Sequence, residues 1–251
     1  MTTYSRSLKR IVVCAVAVAT AAVVTTGCDG SGGAGGSGGA GWSAASTEQS
    51  SYEVTEEVTG VAIDNRGGDI EIVTGTGTSV KVTETLEYSN AKPKTEHSVS
   101  GGKLVLKASA CGGSSSKCSV FYRVEVPVGV QIDASTGGGN VTGTGLGGTV
   151  LAKTGGGNVD VSFGVTGTGL GGTVLAKTGG GNVDVSFGSA PLSVSAESGG
   201  GNVTVKLPKG PYAVDATTAG GNRKVDVTVD DASPSKVRAR SEGGDVTVTG
   251  A

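Results

Sequence analysis

The chain has 251 residues, with 20 basic and 22 acidic side chains and a formal charge of −2 at pH 7. The two signs are interspersed, so there is no basic stripe to offer nucleic acid, and none is expected as a partner. Aromatic residues are 4% of the chain, which leaves carbohydrate grooves and stacking platforms poorly supplied.

The N-terminus is built for export. Arg6, Lys9 and Arg10 precede an apolar run from Ile11 to Val24, followed by Thr25, Thr26, Gly27 and Cys28. This is the layout of a secretory signal peptide, and its apolar core is shorter than the roughly 20 residues of a membrane-spanning helix. Gly27-Cys28 resembles the bacterial lipoprotein box, although Thr25 stands where an aliphatic residue is usual. The resemblance implies that residues 1–27 are removed and that Cys28 becomes the acylated (palmitate-bearing) first residue. The membrane is then a partner through the N-terminal lipid, and the protein is extracytoplasmic, on the outer face of the bacterial cell membrane. Several acyl chains hold a protein far more firmly than one, at about 0.8 kcal/mol per buried methylene. Loss of the three basic leader residues takes the net charge from −2 to about −5. Residues 28–50 comprise Cys28 and a Gly/Ser/Ala-rich tether, a random coil spanning about 25 Å to which no structure is assigned.

From Ser51 the pattern turns to β. Strands are expected over Tyr52–Val58, Val61–Ile63, Ile70–Val73, Val80–Leu86, Lys103–Lys107 and Val120–Val126, and Gly101-Gly102 reads as a hairpin turn. Cys111 and Cys118 bracket a Gly/Ser turn at a spacing that lets adjacent strands be bridged. Outside the cytoplasm a disulfide is the expected state, and a metal site lacks further ligands. His97, the single histidine, lies on a polar hairpin arm without a nucleophile motif beside it, so no catalytic role is expected.

Repetition dominates the remainder. Residues 141–164 recur without a change as 165–188. Around this copy a looser unit of glycines followed by Asn or Asp falls at Asp69, Asn140, Asn158, Asn182, Asn202, Asn222 and Asp245. Upstream of the glycines, Ile132-Ala134-Thr136, Val150-Ala152-Thr154, Val174-Ala176-Thr178, Val194-Ala196-Ser198, Val214-Ala216-Thr218 and Val237-Ala239-Ser241 align as one inward-facing frame. Downstream, Val159-Val161-Phe163, Val183-Val185-Phe187 and Val203-Val205-Leu207 form another. One such unit cannot bury its apolar face alone, but stacked units share a core.

The expected fold is therefore all-β: a β-solenoid, or single-stranded β-helix-like stack of short strands with Gly-Asn corners, over residues 131–251. An antiparallel β-rich part with a disulfide hairpin, residues 51–130, precedes it. Glycine is expected at the corners to allow positive φ, with Asn or Asp tolerating the left-handed region beside it. Deleting the second copy in thought makes the spacing more regular, so surplus residues should bulge near Gly164 to Leu170. The C-terminal coil, Gly243 to Ala251, shows no cap and is an expected edge for self-association.

The GGG-N-V-x-V units, the Val126-Pro127-x-Gly129 lead-in and the β-rich region before them resemble a bacterial family of glycine-rich β-strand repeats called "putative adhesins". That family was long filed as a domain of unknown function. The resemblance spans roughly residues 52–250 and implies surface display, with no catalytic residues to carry over. GGGN does not lead into a helix as a phosphate loop must, and GGGNVD has the wrong residue and period for a calcium nonapeptide. The Asn file reads as a structural ladder. Asp160 and Asp184, like Lys153 and Lys177, read as solvated strand positions repeated by the duplication, and Asp226 as a comparable outward position. No cofactor or metal is expected. The leading functional reading is a non-enzymatic, lipid-anchored surface protein that binds or spaces cell-wall material, a neighbouring protein or itself. An envelope-sensing accessory lipoprotein is the alternative; a polysaccharide-acting β-helix enzyme is a third, with few aromatic or clustered carboxylate groups to support it.

Overall fold

The computed structural model of the chain describes residues 45–109, 111, 117–164 and 171–250. Cys28, most of the tether and residues 165–170, where the surplus was expected, lie outside the described residues. The described residues contain strands and no helix. In chain order the first strands are β1 (Ser46–Val54), β2 (Gly60–Asn65), β3 (Ile70–Thr74), β4 (Val80–Tyr88), β5 (Thr95–Ser100), β6 (Lys103–Ala108) and β7 (Cys118–Val126). Next come β8 (Gln131–Thr136), β9 (Val141–Leu146), β10 (Val150–Thr154), β11 (Val159–Phe163), β12 (Gly171–Thr178), β13 (Val183–Phe187) and β14 (Pro191–Ser198). The last are β15 (Val203–Leu207), β16 (Pro211–Thr218), β17 (Arg223–Asp226), β18 (Thr228–Val229), β19 (Lys236–Ser241) and β20 (Val246–Gly250).

These form two mixed sheets of ten strands. One runs β1-β4-β7-β3-β9-β11-β13-β15-β20-β17, the other β18-β16-β19-β14-β12-β10-β8-β2-β6-β5. Pairing is antiparallel for β1 with β4, β4 with β7 and β5 with β6, and parallel elsewhere. In the parallel region each unit lays one strand in the second sheet, turns a glycine corner and lays the next in the first. Period-2 sequences with Val, Ile or Ala on one face fit this placement, because one face of each sheet is buried.

The upstream frames stand in a single register. Ile132 pairs with Val150, Val150 with Val174, Val174 with Val194, Val194 with Val237 and Val237 with Val214. Two residues on, Ala134, Ala152, Ala176, Ala196, Ala239 and Ala216 make a buried alanine row. The valines and leucines of the first sheet join them in one core, to which each fully buried Val or Leu contributes about 1.5–3 kcal/mol. Phe163 and Phe187, on β11 and β13, stack inside it with ring centroids 4.8 Å apart.

Four expectations need correction. First, β1 begins at Ser46, inside the segment read as tether, because it pairs along its whole length with the nine residues of β4. Second, residues 51–130 are not antiparallel throughout, because β2 and β3 pair with their neighbours in parallel. β2 and β3 stack directly on β8 and β9 and share the core. Third, the C-terminal coil is not the end of the stack. β19 lies between β14 and β16, and β20 between β15 and β17, so the last residues are paired on both sides. The stack instead ends at β16, β17 and β18. There Arg223 occupies the row held by Val246 in the neighbouring strand, and its Nε donates to the Ala216 carbonyl at 2.8 Å. A charged side chain on the terminal strand discourages further stacking.

The fourth correction concerns the corners. Among the described residues none other than glycine has positive φ, and of the corner glycines only Gly68 does. The glycines are required by proximity instead. A Cβ on Gly139 would lie 2.0 Å from the Gly68 carbonyl oxygen, on Gly157 2.1 Å from that of Gly139, and on Gly181 2.1 Å from that of Gly157. The middle glycines, Gly138, Gly156 and Gly180, face open space. By contrast, Gly101 and Gly102 between β5 and β6 have φ of 59° and 77°, the tight-turn geometry expected of that hairpin.

The disulfide forms between Cys111 and Cys118, with Cα atoms 5.9 Å apart. It ties the segment after β6 to the first residue of β7. The units on either side of residues 165–170 are in register, Val150 to Thr154 against Val174 to Thr178 and Val159 to Phe163 against Val183 to Phe187.

Candidate functional site: the corner ladder and the faces it holds

The seven Asn and Asp residues of the repeat stand in one file. The Asp69 carboxylate accepts from the Asn140 amide N–H at 2.7 Å. Asn140 Oδ1 accepts from Asn158 N–H, Asn158 Oδ1 from Asn182 N–H and Asn182 Oδ1 from Asn202 N–H, each at 2.8 Å. The file then passes to Asp245, whose N–H donates to Asn202 Oδ1 at 2.8 Å, and ends at Asn222, whose N–H donates to Asp245 Oδ1 at 2.7 Å. The spatial order is thus 69, 140, 158, 182, 202, 245, 222. In parallel, the N–H of each following residue, Ile70, Val141, Val159, Val183, Val203 and Val246, donates to the ladder carbonyl of the next unit. The side-chain oxygens of the file are engaged in holding the next unit.

A second file lies just inside the first, and it was not singled out from sequence. Thr136, Thr154, Thr178, Ser198, Ser241 and Thr218 donate their hydroxyls to the carbonyls of Gly68, Gly139, Gly157, Gly181, Gly201 and Gly244, at 2.6–2.9 Å. From Thr154 onward each hydroxyl also accepts from the N–H of the glycine three residues ahead. Thr178 is 1% exposed, and the hydroxyls of this file satisfy main-chain groups that are for the most part partly buried. The signal was present, because the third residue of every inward frame is Thr or Ser. Asn65 serves the first corner, its Nδ2 donating to the carbonyls of Gly68 and Val120.

The files run between two outer faces. On the first sheet Asp160 pairs in register with Asp184, flanked by Thr142 and Thr204. Partial burial pushes the Asp160 carboxyl above its ordinary range, Asp184 adds to this, and Lys206 opposes it. Asp226 does not join them. It pairs with Thr249, in the row of Lys206 and Ser186, one alternation away. On the second sheet Lys177 meets Glu197 at 3.3 Å, and Arg238 and Arg240 both meet Asp215, at 3.4 and 2.9 Å. Lys153 lies beside Lys177 in the same row. Exposed pairs of this kind contribute at most about 1 kcal/mol each. Leu151 and Leu175 are neighbours on this face, with Leu175 37% exposed. His97 is exposed on β5, where it stacks on Tyr52 with centroids 4.5 Å apart. Among the described residues no three His, Cys, Asp or Glu side chains are grouped to hold a metal ion.

No known protein family matches the chain, and no curated protein does. Solved structures resemble it at low identity. A "putative cell adhesion protein" from Clostridium sporogenes ATCC 15579 is 14% identical, with 82% of this chain and 100% of that one covered, at a TM-score of 0.46. A "putative adhesin" from Bacteroides fragilis NCTC 9343 is 15% identical, covering 81% of this chain and 97% of that one, at 0.42. A "putative lipid binding protein" from Parabacteroides distasonis ATCC 8503 is 13% identical, covering 79% and 96%, at 0.34.

Proposed function

We propose that this chain is a non-enzymatic β-solenoid module, lipid-anchored through Cys28 on the outer face of the bacterial cell membrane, that acts as an adhesin or spacer. The observation that supports this most is the unbroken corner file from Asp69 to Asn222. The recurring polar residues of the sequence are engaged in propagating the stack, and what the stack offers outward is two regular faces of alternating Thr, Ser, Asp, Lys and Arg. Such faces bind by shape and by distributed polar contacts rather than by one reactive group. The tether holds those faces clear of the membrane.

The test has two arms on the full chain in its producing bacterium. Fatty-acid labelling should mark the wild-type chain and fractionate it with the membrane, whereas Cys28→Ala should lose the label and be released. Cells carrying the anchored chain should adhere to surfaces coated with envelope fragments of the same bacterium, and cells lacking it should adhere less. An unlabelled wild-type chain overturns the anchor; equal adhesion with and without the chain overturns the adhesin reading.

A further inference from the structure

At the end of the sheets opposite Arg223, the edge strands β1 and β5 leave a cleft of about 590 Å³ between them. Its wall includes Ser50 from β1, Glu84 and Leu86 from β4, Lys94 from the segment before β5, and Thr95 and Glu96 from β5. Glu84 sets this cleft apart from every other surface of the molecule. It falls on the inward parity of Val80, Val82 and Leu86 and is 4% exposed, the only buried carboxylic acid among the described residues. It takes one hydrogen bond, from the Tyr52 hydroxyl at 2.9 Å, and no cation of the chain pairs with it among the described residues. Tyr122, directly opposite Glu84 on β7, is also buried, and its hydroxyl has no partner. Burial and the neighbouring Glu84 push that hydroxyl's ionisation upward, so it stays protonated.

A carboxylate taken out of water without a counter-ion is expensive to keep, and the usual remedy is a paired cation with further hydrogen bonds. The chain's nearby lysines are not used that way. Lys92 pairs with Glu48, and Lys94 forms no ion pair among the described residues. The cleft is the route by which an external cation could reach Glu84. We propose that it is a binding site for a primary ammonium group, borne either by a free alkylamine or by a lysine side chain, with Glu84 as its counter-ion. An ammonium carries three donors. The Glu84 carboxylate accepts one, and Ser50, its cross-strand partner, and Thr95 put hydroxyl acceptors in the same wall. The apolar wall of Leu86 and Pro93 suits the methylene stem of such a ligand.

Calorimetric titration of the full chain in detergent micelles tests this with three probes: cadaverine, Nα-acetyl-lysine amide and, as the anionic control, propionate. Saturable binding of at least one amine and none of propionate is expected. Binding of cadaverine alone assigns the site to free amines; binding of the lysine derivative assigns it to peptide side chains. Glu84→Gln keeps the shape and should weaken binding about tenfold or more, as loss of a charge-assisted hydrogen bond does. Thr95→Trp, a change at the cleft mouth on an edge strand, should block binding while leaving the melting temperature unchanged, which keeps the test open if Glu84→Gln fails to fold. Absence of saturable binding by either amine overturns the proposal, and so does amine binding that Thr95→Trp leaves unaltered.

Discussion

The glycines of the parallel stack and the glycines of the antiparallel end meet different constraints. At Gly101-Gly102 the chain must reverse within two residues, and positive φ is what the residue supplies. At Gly139, Gly157 and Gly181 the backbone is not left-handed at all. There the preceding unit's carbonyl comes so near that no side chain fits. One region needs glycine for its dihedrals and the other for its emptiness, so substitutions should separate them. The first glycine of a corner is closed in the same way, a Cβ on Gly155 lying 2.2 Å from the Gly137 oxygen and on Gly179 2.4 Å from that of Gly155. Glu242 and Ala219 take the first position in the last two units, whereas Gly244 and Gly221 keep the third.

The largest expected effect sharpens that contrast. Gly157→Ala places a Cβ 2.1 Å from the Gly139 oxygen and 2.5 Å from its carbonyl carbon, and neither can move without breaking the ladder. A loss of about 3 kcal/mol is expected, at the upper end of overpacking costs. Gly156→Ala, next door and open, should stay within about 0.5 kcal/mol. Gly101→Asn should also be mild, because Asn tolerates the left-handed region and nothing lies within 4 Å of the added Cβ. Denaturant melts of the three variants decide the matter. If Gly101→Asn proves as damaging as Gly157→Ala, the distinction fails.

A smaller effect tests the inner hydroxyl file. Thr178→Val keeps the volume but removes the donor to the Gly157 carbonyl and the acceptor for the Gly181 N–H, both partly buried beside a side chain that is 1% exposed. A loss of about 2 kcal/mol follows from two unpaired, partly buried groups. Thr83→Val, on the exposed face of β4 with only Ser51 as a side-chain partner, should change stability little. Equal losses at the two sites would show that the buried file adds nothing beyond ordinary strand contacts.

Much of this was legible in the residues, and the limits have physical reasons. The seven ladder positions and the inward frames follow from period and parity, and those two features survive into the structure unchanged. The order of the last two units does not follow, because β14, β16 and β19 carry the same Val-x-Ala frame and pair in the same register whichever lies in the middle. What distinguishes the orders is side-chain detail: Asp215 between Arg238 and Arg240, and Arg223 at the terminal strand. The corner glycines were read for the wrong reason, because close approach between units distant in sequence leaves no local signature. Glu84 was visible as a charge on an apolar stripe of β4, but its isolation depends on β1 and β7, which only the fold brings beside it.

The smallest effect concerns the outer face of the parallel stack, where register forces identical residues together. Asp160 and Asp184 are neighbours only because a duplicated segment stacks on itself. Partial burial, with Asp184 adding to it, raises the Asp160 carboxyl above the ordinary aspartate value near 3.8. The folded state therefore takes up this proton at a higher pH than the unfolded chain does. Stability from this group is greatest below the ordinary value, declines as pH rises between that value and the raised one, and is flat above it. Asp160→Asn should remove that slope and raise stability at pH 7, by no more than about 0.5 kcal/mol because the face is open to screening. Asp226→Asn lies outside the row and serves as the reference variant. Melting temperatures from pH 3 to 7 for both variants measure the difference, and an unchanged slope in Asp160→Asn would show that the forced pairing carries no free-energy penalty.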